Sequence, residues 1–335
     1  MMRSLYIAWL SFLFFTIGIS QKQNFFQAIN TNNVPSLNIT FDAAALIDQK
    51  YVDTTVRGSI QWTNLDGKSQ VVRTKFTLRG KYRRRICSFP PIKMDLDKDD
   101  LQDLGLKKHD EYILVTHCSD HPEQETYVRK EFLAYQIQNI LLPYSYQTHY
   151  LTANYIDDST HNIISGPAFI IENDKDLEDR LEIKELDGFH PGLNVDSMAL
   201  KSNALFQMLI ANDDYDLFAG RNCKAYSKDE LVIPVSYDFD FAGFVNAEYA
   251  RVNPNVPLHR LQDHIYLGPS FTREEWKAIS KEWLSKQDAI NALFDKEEIL
   301  PKKDINDLRK YVRTFFRLMK QSPPLKTNDV YFFDN

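Results

Sequence analysis

Cysteine is scarce and never closely spaced: Cys87, Cys118 and Cys223 are the whole complement. Without a Cys-x-x-Cys pair they make a poor case for a zinc site. The eight histidines form no metal motif either. His117 and His121 bracket Cys118, but Ser119-Asp120 between them reads as a turn. No Gly-x-Ser-x-Gly elbow is present, so Ser-His-Asp hydrolysis finds no support. The net charge of −6 argues against non-specific nucleic-acid binding by the chain as a whole. After the leader no apolar run is long enough to span a bilayer, and there is no internal repeat or low-complexity linker.

What is present begins with that leader. Arg3 supplies a positive charge, and Leu5–Phe15 is apolar except for Ser11. Gly18 and Ser20 then place small residues where a signal peptidase needs them. The expectation is a signal peptide over 1–20, cut near Ser20, and a protein exported to a periplasm or the cell exterior. The alternative is an uncleaved anchor, for which the run is shorter than the ~20 residues a bilayer requires. With no Cys at the cut, a lipid anchor is not expected. In an oxidising compartment Cys87 and Cys118, both in apparent strands, can pair, leaving Cys223 as the odd thiol. Asn38-Ile39-Thr40 is a glycosylation sequon, relevant only in a eukaryotic secretory route.

Residues 21–35 are polar and Asn-rich and read as a flexible lead-in. From there to about residue 120 apolar and polar residues alternate, as in Leu37, Ile39, Phe41 and in Val72, Thr74, Phe76, Leu78. Asn64–Lys68, with Asp66-Gly67, predicts a hairpin turn between Ile60–Thr63 and Gln70–Arg79. Further strands are expected at Ile92–Leu96, Glu111–His117, Thr148–Tyr155 and Ala168–Glu172. Tyr127–Leu142 has helical spacing and stops at Pro143. The second half is richer in helix, at Ser197–Ala211, Thr272–Ser285 and Asp304–Lys320, around two short strands near Cys223–Tyr226 and Leu231–Tyr237. This is an α+β plan: a strand-rich lobe over about 36–165 and a helix-rich lobe over about 175–335, with a ligand cleft between them.

Two clusters carry chemistry. One runs from Asn212-Asp213-Asp214-Tyr215-Asp216 through Asn222 to Tyr237-Asp238-Phe239-Asp240-Phe241. Hard cations such as Mg²⁺ prefer such carboxylate and amide oxygens. An Asp at a helix exit, then an Asn, then an Asp after a strand is the order of a kinase catalytic loop and metal site. The competing reading is that Asp and Asn gather in turns as caps. Asp238 and Asp240 argue for the metal, because carboxylates among bulky apolar neighbours need a partner. The other cluster has five cations in the seven residues Arg79–Arg85, followed by Lys93 on a strand. It offers phosphate binding by guanidinium groups, or else a solvated edge.

Together and in this order, the clusters resemble the CotH-type spore-coat kinases, a branch of the HipA-like protein-kinase-like fold. Arg79-Gly80 with Lys93, Arg129 with Phe132-Leu133-Ala134-Tyr135, the strand end Ile170-Ile171-Glu172, Asn212-Asp213-Asp214 with Asn222, and Asp238-Phe239-Asp240 carry the likeness over about residues 70–245. The chain is also similar to uncharacterised exported bacterial proteins with a Tyr-Asp-Phe-Asp-Phe run. Lys81-Tyr82 replaces the small polar residues usual after Arg-Gly. The resemblance implies a two-lobed protein-kinase-like fold and phosphoryl transfer from ATP to a protein or glycan hydroxyl, with Mg²⁺ or Mn²⁺. Asp214 would be catalytic, with Asp213 and Asp216 as alternatives. Lys93 and Arg79 would bind the nucleotide, Glu131 would pair with Lys93, and Glu172 would lie near the hinge. Asn222 and Asp238 would hold the metal, with Asp240 in support. Two rival readings stay open. One is a non-catalytic binding protein whose basic segment, through Arg83 and Arg84, takes an anionic partner. The other is a metal-dependent phosphoester hydrolase. Export weighs against ATP chemistry, since ATP is scarce in a periplasm or outside the cell. Residues after about 250 have no counterpart in the resemblance.

Overall fold

A computed structural model describes residues 22–333 apart from 49, 81, 119–121 and 191. The leader lies outside the described residues. The first half is built from β1 (Ser36–Phe41), β2 (Thr55–Thr63), β3 (Ser69–Leu78), β4 (Ile92–Leu96), β5 (Glu111–Thr116), β6 (Thr148–Asp157) and β7 (Ile163–Ile171). Helices α1 (Phe25–Thr31), α2 (Ala43–Ile47), α3 (Arg83–Ile86), α4 (Lys98–Asp103) and α5 (Pro122–Leu141) lie before or between them. The strands close into a mixed barrel in the order β1-β2-β3-β4-β5-β7-β6. Closure comes from β1, antiparallel to β2 on one side and parallel to β6 on the other. The alternation seen in the sequence points Ile39, Ile60, Val72, Phe76, Met94 and Leu114 into the barrel, where all are fully buried.

The lead-in is not a flexible tail. Asn24 and Gln27 form a reciprocal capping box that starts α1. Phe25, Phe26 and Ile29 are buried, and the Phe25 ring meets Trp62 and Tyr112 edge-on at 5.3 and 5.0 Å. Burying three large apolar side chains outweighs the polar look of the segment.

The second half holds α6 (Asp174–Leu181), β8 (Lys184–Glu185), α7 (Ser197–Leu209), β9 (Cys223–Lys228), β10 (Leu231–Ser236), β11 (His264–Tyr266), α8 (Arg273–Ser285), α9 (Gln287–Asp295), α10 (Lys302–Gln321) and β12 (Asp329–Tyr331). The fold is thus α+β, a closed seven-stranded barrel joined to a helix-rich half. The barrel extends to Ile171, beyond the expected boundary near 165. Helix α5 joins the halves: its Gln138 amide donates to the Ser236 carbonyl. The segment after 250 supplies much of the second core, with Trp283 and the Leu308, Tyr311, Phe315 and Met319 face of α10 buried. No helix among the described residues is long and apolar enough to cross a membrane.

His264 shows how dry that core is. It packs against Tyr311 and Phe315. Its Nδ1 lies 2.7 Å from the Met208 carbonyl, while Nε2 is buried with no partner. Burial pushes its pKa down to about 4. The unfolded chain therefore takes up a proton near pH 6.5 that the folded chain refuses until about pH 4. The stabilisation is complete above pH 6.5 and is lost as pH falls toward 4, a change of about 3 kcal/mol. His264→Asn keeps a donor for Met208 but does not titrate. Urea midpoints taken between pH 7 and 4 should fall less steeply in this variant than in the parent.

Candidate functional site

Helix α7, capped by Asp196, ends at Leu209, and after the C-cap Ile210 comes Ala211, whose φ of +49° lies in the left-handed region. That reversal delivers the acidic loop. The Asn212 side chain accepts from the Asp214 amide at 3.1 Å and donates to Gln207 at 2.8 Å, fixing the turn. Asp216 is a turn cap: its carboxylate accepts from the amides of Phe218 and Ala219. The Asp213 carboxyl is raised by burial and takes a backbone hydrogen bond at Asn253. Asp214 is the member joined to Asn222, whose side-chain amide donates to the Asp214 carbonyl at 2.7 Å and to its carboxylate at 3.2 Å. Burial raises the Asp214 pKa, opposed by Arg221 and reinforced by Asp238.

The strand β10 then brings Asp238 alongside, since the Tyr237 amide donates to the Asn222 carbonyl at 3.1 Å. Asp238 and Asn222 both have left-handed backbones, with φ of +64° and +51°. Asp and Asn are the non-glycine residues that best tolerate this conformation. The Asp238 amide donates to the Tyr135 hydroxyl at 2.9 Å, and the Phe239 amide to Glu131 at 3.4 Å. Phe239 is fully buried against Tyr135 and Phe206. Asp240 is buried too and accepts from the Tyr249 hydroxyl at 3.1 Å. Burial and the neighbouring Asp238 push the Asp240 pKa up to about 7. No described group donates a hydrogen bond to the Asp238 carboxylate.

Among the described residues no three His, Cys, Asp or Glu side chains gather into a ready-made metal cluster. Asp214, Asn222 and Asp238 carry carboxylate and amide oxygens, the donor type that Mg²⁺ prefers, and Asp214 and Asn222 are in direct hydrogen-bond contact. In Asn222 the amide N–H groups face Asp214, which leaves the amide oxygen as its donor to a cation.

A cavity of about 240 Å³ is lined by Arg79, Lys93 and Glu111 of the barrel half, by Glu172 just after β7, and by Asp174, Lys224 and Tyr237 of the second half; Tyr237 alone connects it to the acidic segment, since Asp214, Asn222 and Asp238 do not line it. Its cations differ. The Lys93 Nζ rests on Glu111 at 2.7 Å in an exposed pair. Lys224 bridges Asp174 at 2.6 Å and Glu185 at 2.9 Å. Arg79 has no carboxylate partner among the described residues.

Several expected partnerships are thus corrected. Glu131 does not hold Lys93, which has taken the cross-strand Glu111. Nor is Glu131 a surface residue: it is 2% exposed, and its pKa is raised by burial and by Asp240 and Asp238. Glu172 reaches the end of β7, but its carboxylate takes a bidentate Arg180 at 2.7 Å and the Gln147 amide. That clamp seats α6 against the barrel. Two arginines of the basic segment, Arg83 and Arg84, are engaged within the protein. Arg83 is buried, with Nη2 on the Thr116 carbonyl at 2.6 Å. Arg84 is held by Asp53 and the carbonyls of Lys50 and Val52.

Cys87 and Cys118 form a disulfide, and Cys223 is a buried free thiol pushed up to about 12 by burial. Sequence reasoning overlooked Glu111, Asp174 and Lys224 in the cavity. The alternation of Cys223–Lys228 places Lys224 on the face opposite Cys223, a signal that was available. No protein-family model matches the chain, and no curated protein matches it significantly.

Proposed function

We propose that the protein is an exported phosphotransferase of the two-lobed, protein-kinase-like plan, taking its phosphoryl group from Mg²⁺- or Mn²⁺-bound ATP and passing it to a protein or glycan hydroxyl. One observation carries this reading. The cavity between the halves has on one wall a guanidinium, Arg79, with no carboxylate partner among the described residues, and on another Tyr237, the residue that precedes Asp238. Phosphoryl transfer needs little from a protein beyond cationic phosphate contacts, a metal held by oxygen ligands and a carboxylate to orient the acceptor. Asn222 and Asp238 would hold the cation, which draws charge from the transferring group. Asp214 orients the acceptor hydroxyl and accepts its proton. Arg79 holds the phosphates by its planar fork, with Lys93 at the rim. Export is supported by the disulfide, a feature of oxidising compartments.

Calorimetry on the oxidised protein should show ATP binding that requires Mg²⁺ or Mn²⁺. Arg79→Ala should weaken it about tenfold, and Lys93→Ala by less than Arg79→Ala. Absence of nucleotide binding with either metal would remove the reading. A non-catalytic role draws on one feature, the engagement of Lys93 by Glu111. Metal-dependent ATP binding without transfer to any hydroxyl acceptor would select it.

A further inference from the structure

The arginine run after Gly80 contains one residue that faces inward. Arg83 opens α3, between the cap residue Tyr82 and Arg84, and is 7% exposed. Its Nη2 donates to the Thr116 carbonyl, and its Nε is buried with no hydrogen-bond partner. Arg83, Cys118, Glu131 and Tyr249 line one narrow seam that has no room for a water molecule. Across that seam, Glu131 accepts from the Phe239 amide and Tyr249 donates to Asp240. Burial disfavours the Arg83 charge, but Tyr249, Asp240, Glu131 and Asp238 together hold it protonated. Removing the single cation, Arg83, from such a dry assembly leaves its acidic neighbours uncompensated.

Only four residues make up α3, so it does not hold its position by itself. The Cys87 amide donates to the Arg83 carbonyl and ends the turn. Cys87 is in turn bonded to Cys118, two residues beyond the Thr116 that receives the guanidinium. The Phe89 amide also donates to the Cys118 carbonyl. The disulfide therefore pins both ends of the Arg83 contact at the place where the acidic loop needs its counter-charge.

We propose that Arg83 is the positioning residue for the Asp238–Asp240 loop, and that the Cys87–Cys118 disulfide holds it there, so that the loop is assembled only in the oxidised chain. Reduction by a dithiol breaks the S–S bond and transfers two electrons and two protons, giving two thiols while the dithiol becomes a disulfide. Freed at Cys87, α3 lets Arg83 leave the seam. Glu131 and Asp240 then lose the cation that compensates their acidic groups in the seam. The metal-side loop would thus form after the chain has reached an oxidising compartment. The proposal's functional meaning rests on the phosphotransferase reading, but its test needs neither nucleotide nor metal.

The test is hydrogen exchange at the Phe239 amide in the full protein, without metal or ATP. Reduction, Cys87→Ser with Cys118→Ser, and Arg83→Met in the oxidised protein should each speed exchange about tenfold or more. Arg83→Lys, which keeps the charge, should stay within about threefold of the parent. Amides in α10 should not change. Unaltered exchange at Phe239 once both thiols are titratable overturns the proposal. So does acceleration of equal size in α10, which would mean general loosening, or an Arg83→Lys protein as unprotected as Arg83→Met. Loss of ATP binding by the oxidised parent would instead count against the phosphotransferase reading and leave this test standing.

Discussion

Replacing Asp238 with asparagine should reduce phosphoryl transfer by about a thousandfold, close to 4 kcal/mol of transition-state stabilisation, and leave the fold intact. The two effects separate for physical reasons. The Asp238 carboxylate receives no hydrogen bond from a described group, so the neutral amide breaks no protein contact. Its backbone is left-handed at φ +64°, which asparagine tolerates as well as aspartate. The Asp238 charge also presses on Asp240, whose pKa stands at about 7 through burial first and Asp238 second. Removing that charge relieves the pair, so thermal melting should hold steady or rise. A metal held through the carboxylate would lose a charged ligand. Transfer from radiolabelled ATP in single-turnover assays, read beside the melting curve, checks both halves. Undiminished transfer would remove Asp238 from the site, and a collapsed melting temperature would make its role structural.

A second large effect belongs to the barrel. Gly58 faces Phe41 across the β1–β2 seam. A Cβ placed there would lie 1.9 Å from the Thr40 carbonyl oxygen and 3.0 Å from the Phe76 ring. Backbone cannot step aside as a flexible side chain can, so relief requires β1 to move. Yet β1 is the strand that closes the barrel, paired on both edges. Gly58→Ala should destabilise the protein by about 4 kcal/mol, a large part of a typical domain's stability. Gly67→Ala is the contrast. At φ +79° it is conformationally strained, but a Cβ would meet nothing within 4 Å, so about 1 kcal/mol is expected. Denaturant midpoints for the two variants should differ accordingly. Equal losses would mean that backbone conformation, not the close approach, sets the cost at Gly58.

The hairpin expected between Ile60–Thr63 and Gln70–Arg79 was legible from the Asp66-Gly67 turn and the alternation after it, although β2 begins earlier, at Thr55. The strands β4 and β5 and the helices α5, α7 and α10 followed from periodicity in the same way. Closure of the barrel was not legible. Local alternation says that a strand has an inner face, but not that Ser36–Phe41 will pair in parallel with Thr148–Asp157. The Asn24–Gln27 capping box was in plain view, hidden only by the polar composition around it. At the site, the order of Asp214, Asn222 and Asp238 was readable, and hydrogen bonds tie Asn222 to Asp214 and to the Tyr237 that precedes Asp238. Their partners were not, because partners are chosen across elements. The diagonal neighbour Glu111 claimed Lys93. Helix α5 is buried on more than one face, so Glu131 went inward where a surface residue was the simpler reading. One short turn at α3 separated Arg83 from the exposed Arg85, although the sequence presents them as equals.

Barrel closure also sets the timing of folding. Asn38 and Asn154, hydrogen-bonded neighbours on β1 and β6, are 116 residues apart in the chain. Contacts of that separation form late, because a long loop must close before they contribute. A chain emerging with its N-terminus first can zip β1 to β2 and β3 at once. It must then keep one edge of that sheet open until Asp157 has emerged. Such delay exposes the edge to mispairing until the parallel partner strand is in place.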